Sequence, residues 1–240
     1  MDFEIIDANT LFGFDPSHRL DLSVERLLRD MERYKVTSSV TLSTMGIFND
    51  YQKGNEATMA VAADKRLIPA GTINPQTYFS SADENARIAQ NFRLFRFFPE
   101  EQGWPVDSVA FELVLKHIAP FKPAVMVDAT YPGEPSRLMK IVRDYPGTVV
   151  LSSISDNTLA EALALMLELP NVVVETHELH VPGALKLLSE RVGAHRIIFG
   201  SGAPRRSTAS SLNYVLNSEL SHAEKSLVLG GNMKQILEGN

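Results

Sequence analysis

Cysteine is absent from this chain of 240 residues. Its absence excludes disulfide bonds, thiolate nucleophiles and zinc sites built on cysteine, and it is in keeping with a reducing cytoplasm. No apolar run is as long as a membrane-spanning helix, which needs about 18 residues. The opening MDFEIIDANT has neither the basic nor the apolar region of a signal peptide. We therefore expect a cytoplasmic protein that makes no contact with membranes.

An excess of positive charge is also lacking. The chain has 23 Lys and Arg against 29 Asp and Glu, a formal net charge of -6, and the two signs are interspersed. A nucleic-acid-binding surface would need clustered basic residues, so we predict no nucleic-acid partner. The composition, 44% hydrophobic and 22% charged, is typical of a globular domain.

One alternation repeats along the chain. Eight short apolar or β-branched runs, about 23 to 35 residues apart, are each followed by a longer stretch with helical spacing. The runs are FEIIDA (3–8), SSVTLS (38–43), LIPAGTI (67–73), RLFRFF (93–98), AVMVDA (124–129), TVVLSS (148–153), NVVVET (171–176) and RIIFGS (196–201). Most are apolar on both faces, as strands buried in a parallel sheet are.

Alternating strands and helices predict an α/β fold with a parallel sheet. Eight such units in 240 residues fit a (β/α)8 TIM barrel, which we expect to form a single domain over residues 1–240. A doubly wound open sheet is the alternative. It would need a glycine-rich phosphate turn after the first strand, where the chain reads NTLFG (9–13).

Chemistry in such a barrel lies where the strands end and the following loops begin. The polar residues at those positions are our candidate site residues. As catalytic residues we predict Glu175, His177 and His180, and as substrate-binding residues Asn9, Arg96, Asp128, Ser153, Ser201 and Arg205.

Each candidate has a structural alternative. Glu175 follows three valines, and burial would raise the pKa of its carboxyl toward neutrality, as a general acid or base requires, unless a buried salt bridge with Arg96 holds it ionised. Arg96, between two phenylalanines, is either a clamp for a carboxylate or phosphate or a structural ion-pair partner. His177 and His180 transfer protons, bind a metal or lie on a solvated loop. Arg205 holds phosphate or is plainly exposed.

Four segments resemble the amidohydrolase-related family of metal-dependent hydrolases and decarboxylases. IIDANTLFG (5–13) is similar to the family's opening strand, Asp-x-His-x-His followed by Gly, and RIIFGSGAP (196–204) to its closing strand, which carries Phe-Gly-Ser-Asp-x-Pro. NVVVETH (171–177) and GNMKQIL (231–237) resemble its seventh strand and terminal helix. The resemblance spans nearly the whole chain and implies a TIM barrel.

The metal ligands that the resemblance implies are largely replaced. The two histidines of the first strand correspond to Asn9 and Leu11, those of the fifth and sixth strands to Asp128 and Ser153, and the catalytic aspartate to Gly202. Because a catalytic zinc site normally has three protein ligands, we predict no cofactor. The alternative is one divalent metal, such as zinc, at a relocated site formed by Asp128, Glu175, His177 and His180.

These features favour a hydrolase-like enzyme that acts on a small, anionic organic substrate by metal-independent acid–base chemistry. Two alternatives stay open: a catalytically inactive barrel that serves as a binding module, and a metal-dependent hydrolase with relocated ligands. A small molecule is the expected partner in the first case. Assembly into a homo-oligomer is open in all three.

Overall fold

A computed structural model describes residues 3–77 and 81–239 of the chain. The strands in these residues are β1 (Ile6–Asp15), β2 (Leu20–Leu22), β3 (Ser38–Ser43), β4 (Leu67–Pro69), β5 (Leu94–Phe97), β6 (Ala124–Asp128), β7 (Val149–Ser152), β8 (Val172–Glu175) and β9 (Ile197–Ile198). The helices are α1 (Val24–Tyr34), α2 (Met45–Phe48), α3 (Tyr51–Val61), α4 (Ala82–Ala89), α5 (Pro99–Gln102), α6 (Val109–Ile118), α7 (Glu134–Val142), α8 (Leu159–Glu168), α9 (Ala184–Val192), α10 (Thr208–Leu216), α11 (His222–Ser226) and α12 (Asn232–Glu238).

Eight parallel strands close into a barrel. β1, β3 and β4 form one parallel ladder, and β5 to β9 form another. Single bridges join the two ladders at both seams, from Gly71 to Phe95 and from Thr10 to Ala203. The strands alternate with helices, which confirms the predicted (β/α)8 TIM barrel. In the part of the chain that the structure describes, no helix is both long and apolar enough to cross a membrane.

The first strand is longer than the sequence pattern predicts. β1 continues from Ile6 to Asp15 and returns as the antiparallel strand β2, so a hairpin stands at the carboxyl end of the barrel. Asp15 closes the turn, because its carboxylate accepts hydrogen bonds from the backbone N–H groups of Ser17 and His18. The register of β1 against β3 also shifts between Asp7 and Thr10.

Two apolar layers follow from the pleat of the strands. Alternate side chains point into the barrel or outward against the helices. On β6, Met126 belongs to the interior cluster and its neighbours Val125 and Val127 to the outer one. Leu94, Val150 and Val173 are interior residues of β5, β7 and β8. The residue two positions after each interior residue therefore points into the carboxyl-end mouth.

Candidate active site

Four inward positions at the ends of neighbouring strands carry polar side chains. They are Arg96 on β5, Asp128 on β6, Ser152 on β7 and Glu175 on β8. Above them a cavity of about 680 Å³ opens at the carboxyl end of the barrel. Its wall contains candidate residues from both ladders, namely Asn9, Arg96, Asp128, Ser153, His177 and Arg205.

Glu175 and His177 form a buried pair beneath this cavity. The Nδ1 of His177 donates to Oε2 of Glu175 over 2.6 Å, and the backbone N–H of His177 donates to Oε1 over 2.6 Å. Asn9 Nδ2 and the Ser152 hydroxyl each donate to the same Oε2 at 3.0 Å. The side chain of Glu175 has no solvent exposure and that of His177 is 10% exposed. The carboxylate is thus fixed by four donors, while His177 reaches the cavity wall.

The pair favours a carboxylate beside an imidazolium. Burial raises the pKa of Glu175, but attraction to His177 and the hydrogen bonds from His177 and Asn9 outweigh it, and the net pKa is lowered. Burial likewise lowers the pKa of His177, but the charge and hydrogen bond of Glu175 outweigh it, and the net pKa is raised. The pair therefore favours the form of His177 in which the ring nitrogen that does not face Glu175 also carries a proton.

Arg96 is a buried guanidinium held by neutral acceptors. It is 3% exposed and donates to the carbonyl of Thr10 over 2.9 Å and to Oδ1 of Asn9 over 2.6 Å. The guanidinium carbon Cζ of Arg96 lies 5.1 Å from the ring centre of Phe98. Among the described residues no carboxylate lies within ion-pair distance of Arg96, and its Nε has no hydrogen-bond partner. The anticipated salt bridge with Glu175 is absent because Asn9 bridges the two side chains.

Asp128 faces the cavity from the end of β6. Burial and the nearby charge of Glu101 raise the pKa of its carboxyl to about 7, against the opposing attraction of Arg96 and His177. A carboxyl with a pKa near neutrality is available in both its protonated and its ionised form at neutral pH. Asp128 can therefore release or accept a proton at the cavity wall.

Ser153 and Arg205 reach the cavity in constrained forms. Ser153 has a left-handed backbone, with φ at 60°, which turns its side chain toward the mouth. Arg205 lies 2.7 Å from Oδ2 of the buried Asp15 and 3.1 Å from Oε1 of Glu101. These two carboxylates already balance its charge, and they tie the β1–β2 hairpin to the loop after β5. This arrangement favours a structural role for Arg205.

His180 and Ser201 do not join the mouth. The exposed ring of His180 lies 6.3 Å from the ring of Tyr214, beside a separate surface cavity, because the chain turns away after β8. Ser201 has no solvent exposure, and its hydroxyl donates to the carboxylate of Asp7. The structure thus places the predicted catalytic His180 and the predicted substrate-binding Ser201 outside the candidate site.

Two residues that support the site have no strong sequence signal. Ser152, one position before the predicted Ser153, is the inward serine and contacts Glu175. Gly200 lies so close to Glu175 that a Cβ there would be 2.0 Å from Oε1. Period-two alternation from Val150 points to Ser152, but the closeness of Gly200 depends on how distant strands pack.

Asp7 provides a prediction about pH and stability. Its carboxyl is buried, which raises its pKa to about 6 despite hydrogen bonds from Ser201 and the Asn9 backbone; Glu175 adds repulsion. A raised pKa means that folding favours the protonated form, so this contribution is present at low pH and is lost as pH rises from about 4 to about 6. Asp7→Asn does not lose this contribution. Between pH 4 and pH 7 its free energy of unfolding should therefore rise relative to that of the native chain by up to about 3 kcal/mol.

Urea unfolding of both proteins across this pH range measures the effect. Asp64→Asn is the control, because the hydrogen bond from Arg66 holds the pKa of the partly exposed Asp64 at about 2 and this carboxyl stays ionised in the folded chain from pH 4 to pH 7, so the variant should show almost no pH-dependent difference in this range. A difference between Asp7→Asn and the native chain that does not change with pH would contradict the burial assigned to this carboxyl.

The family model described as Amidohydrolase matches residues 19–237. The chain belongs to this amidohydrolase family. Its fold is similar to 5-carboxyvanillate decarboxylase from Sphingomonas paucimobilis, with 15% identity, 99% of each chain covered and a TM-score of 0.77. It is also similar to 2,6-dihydroxybenzoate decarboxylase from Rhizobium, with 12% identity, 99% of each chain covered and a TM-score of 0.76. No curated protein matches the chain.

Manganese in related structures corrects the prediction that no cofactor is involved. The dihydroxybenzoic acid decarboxylase from Polaromonas, 14% identical with a TM-score of 0.72 over 99% of this chain and 97% of that one, was crystallised with bound manganese. So was the 5-carboxyvanillate decarboxylase from Novosphingobium aromaticivorans. The prediction of no cofactor is therefore wrong, because structures similar to this chain hold a divalent metal.

The mouth of this amidohydrolase-family chain does not match a manganese site at the positions that the resemblance implies. Manganese prefers carboxylate, carbonyl and water oxygens, but Leu11 cannot ligate and the Asn9 oxygen accepts from Arg96. A Cβ at Gly202 would lie 3.1 Å from the His177 ring and 3.3 Å from Cδ of Arg206. No three His, Asp or Glu side chains of the described residues are placed to hold a metal, which includes the relocated set with His180. We assign no step to a metal.

Proposed function

We propose that this amidohydrolase-family chain is an enzyme that binds a small organic anion in the mouth of its barrel and acts on it by proton transfer. The observation that carries the proposal is Arg96. A buried charge without a paired countercharge is strongly destabilising. The direct partners of this guanidinium are the neutral oxygens of Asn9 and Thr10, and Asp128 and Glu175 attract it without forming an ion pair with it. A carboxylate ligand would supply a countercharge in direct contact and an acceptor for Nε.

Two proton-holding groups flank the place where such an anion would lie. The charge and hydrogen bond of Glu175 outweigh burial and raise the pKa of His177, and burial raises the pKa of Asp128 to about 7. Both line the same cavity as Arg96. A general acid works best when its pKa is near the operating pH. We assign the transferred proton to His177 or Asp128, and the orientation of His177 to Glu175, Asn9 and Ser152.

Decarboxylation is the first reaction to test, because the structural relatives named above are decarboxylases of aromatic acids. The bond between the carboxylate and its carbon breaks, carbon dioxide leaves, and the electron pair stays on that carbon. The carbon then takes the proton from the acid in the mouth. Hydrolysis is the second candidate, since the family model is described as Amidohydrolase; the same acid would then protonate the leaving group.

Anion binding is tested with benzoate and 2,6-dihydroxybenzoate against the neutral benzamide. We expect calorimetric titration to show saturable binding of the acids. Benzamide should bind at least about tenfold more weakly than the acids, because a charge-assisted hydrogen bond is lost. Arg96→Met should weaken binding of the acids by at least about tenfold. Arg96→Lys keeps the charge but not the planar donor set, so its affinity should be intermediate.

The controls separate a binding defect from a folding defect. Arg137→Met removes an arginine whose side chain is 46% exposed and does not line the mouth cavity, and it should bind like the native chain. Each titration is run with manganese and with a chelator, so that the role of Arg96 is measured in both conditions. Equal binding of benzoate and benzamide, or native affinity in folded Arg96→Lys and Arg96→Met, would remove the basis of the proposal.

A further inference from the structure

A second cavity of about 650 Å³ lies at the opposite face of the barrel. It is walled by Phe3, before β1, by Tyr34 at the end of α1, and by residues of α10 and α11. All of these elements lie toward the amino ends of the strands. That face of a TM barrel ordinarily contributes stability, whereas chemistry is at the mouth. A cavity of ligand size there is unrelated to the proposed active site.

The floor of this amino-end cavity is apolar. Leu212 is 8% exposed, Leu216 of the same helix is half-buried, and both line the cavity. The rings of Phe3 and His222 stack with centres 4.7 Å apart and planes inclined by 29°. Small-molecule sites are typically concave and largely apolar, with a few polar groups that fix orientation. The amino-end cavity has this composition.

The charge around the cavity has one sign. The basic residues in its wall are Lys35, His222 and Lys225, and no Asp or Glu of the described residues lines it. Lys225 of α11 is half-buried and makes no ion pair with the described residues. His222 is the second basic group on that helix. An apolar floor with a basic rim complements a molecule that has an apolar body and one negative end.

We propose that the amino-end cavity binds an amphipathic carboxylate, with the apolar body against Leu212, Leu216 and the Phe3–His222 stack and the carboxylate beside Lys225. The ligand class comprises fatty acids of medium chain length and apolar aromatic acids, which share this chemistry. The site is separate from the mouth, so it stands whether or not the proposed function is correct.

The test uses octanoate and 2-naphthoate on the full chain, with 1-octanol as the uncharged counterpart of octanoate. Calorimetric titration should show saturable binding of one carboxylate per cavity, and octanol should bind about tenfold more weakly because it offers Lys225 no charge. Comparison of octanoate with 2-naphthoate distinguishes an aliphatic from an aromatic ligand. Lys225→Glu should weaken binding of both carboxylates at least about tenfold.

Matched variants locate the binding. Lys186→Glu makes the same charge reversal on α9 at a residue that lines a different surface cavity, and it should leave the affinity within about twofold, as for an exposed surface charge. Arg96→Lys weakens only the mouth, so the octanoate binding that remains in this variant is expected to be that of the amino-end cavity. Leu216→Asp, which places a carboxylate in the floor, should abolish binding, and circular dichroism verifies its fold.

Three results would overturn the proposal. The first is no saturable binding of either carboxylate to the native chain. The second is binding that Arg96→Lys weakens and Lys225→Glu does not, which would place the carboxylate in the mouth. The third is self-association that Lys225→Glu or Leu216→Asp disrupts in sedimentation experiments, which would make this face an interface between two copies of the chain.

Discussion

Gly200→Ala is expected to destabilise the protein by about 3–5 kcal/mol, the cost of breaking a buried ionic network. A Cβ at this position would lie 2.0 Å from Oε1 and 2.5 Å from Cδ of Glu175. The carboxylate cannot move aside without leaving donors of His177, Asn9 and Ser152 unpaired. One methyl group thus forces a buried charge out of its hydrogen bonds, and urea unfolding measures the loss.

Gly231→Ala is the matched control. Gly231 has helical backbone angles, with φ at -56°, and a Cβ there would meet its nearest neighbour at 3.4 Å, an ordinary contact. Alanine is the better helix former by about 1 kcal/mol, so this variant should be as stable as the native chain or slightly more stable. If Gly200→Ala unfolds at the same urea concentration as Gly231→Ala, Glu175 does not pack against Gly200.

The barrel could be predicted because its signal is local. Each strand is an apolar run of a few residues, and a buried parallel strand needs no more than that. The exact ends were not predictable in the same way. The run 196–201 contains only the short strand Ile197–Ile198, because Gly200 packs against Glu175 and the Ser201 hydroxyl bonds Asp7. The β1–β2 hairpin was missed because its turn depends on the Asp15 side chain.

The candidate site was predictable where alternation along a strand decides the direction of a side chain. Arg96, Asp128 and Glu175 follow interior residues by two positions and do reach the mouth region. Alternation also points to Ser152, which contacts Glu175, rather than to the predicted Ser153. It fails beyond the strand end, which is why His180 lies elsewhere. Partners across the barrel, such as Asn9 between Arg96 and Glu175, follow from tertiary packing alone.

The absence of the family's metal-ligating histidines illustrates the same limit. The sequence shows that Asn9, Leu11 and Gly202 are poor metal ligands. It does not show which side chains contact them in the folded protein. The structure shows Arg96 bonded to Asn9, and His177 and Arg206 in the space beside Gly202. Apart from the local approach of Arg206 to Gly202, these contacts join strands far apart in sequence, so only the folded barrel reveals which basic groups lie at the mouth beside acidic residues such as Asp128 and Glu101.

Glu175→Gln is expected to reduce turnover by about 10²–10⁴-fold, the usual contribution of a general acid or base. Four donors converge on the two oxygens of Glu175. A glutamine has one oxygen and one NH₂ group, so at least one donor must face another donor. Without the carboxylate, burial still lowers the pKa of His177 and only the weaker attraction of Asp128 and Glu178 still raises it, so the pKa falls. The protonated ring is then less favoured than in the native chain.

Nitrogen-15 NMR of the histidine rings follows this change directly, with His177 assigned from a His177→Asn sample. The expected result is a His177 pKa above the ordinary histidine value in the native chain and a clearly lower one in Glu175→Gln, together with the loss of turnover on the acid found in the binding test. Glu178→Gln is the control: its carboxylate lies 3.8 Å from Nε2 of His177 and is 23% exposed, and water compensates for its removal. Unchanged titration of His177 in folded Glu175→Gln would show that the carboxylate does not hold the proton on the ring, and the catalytic assignment would then pass to Asp128 alone.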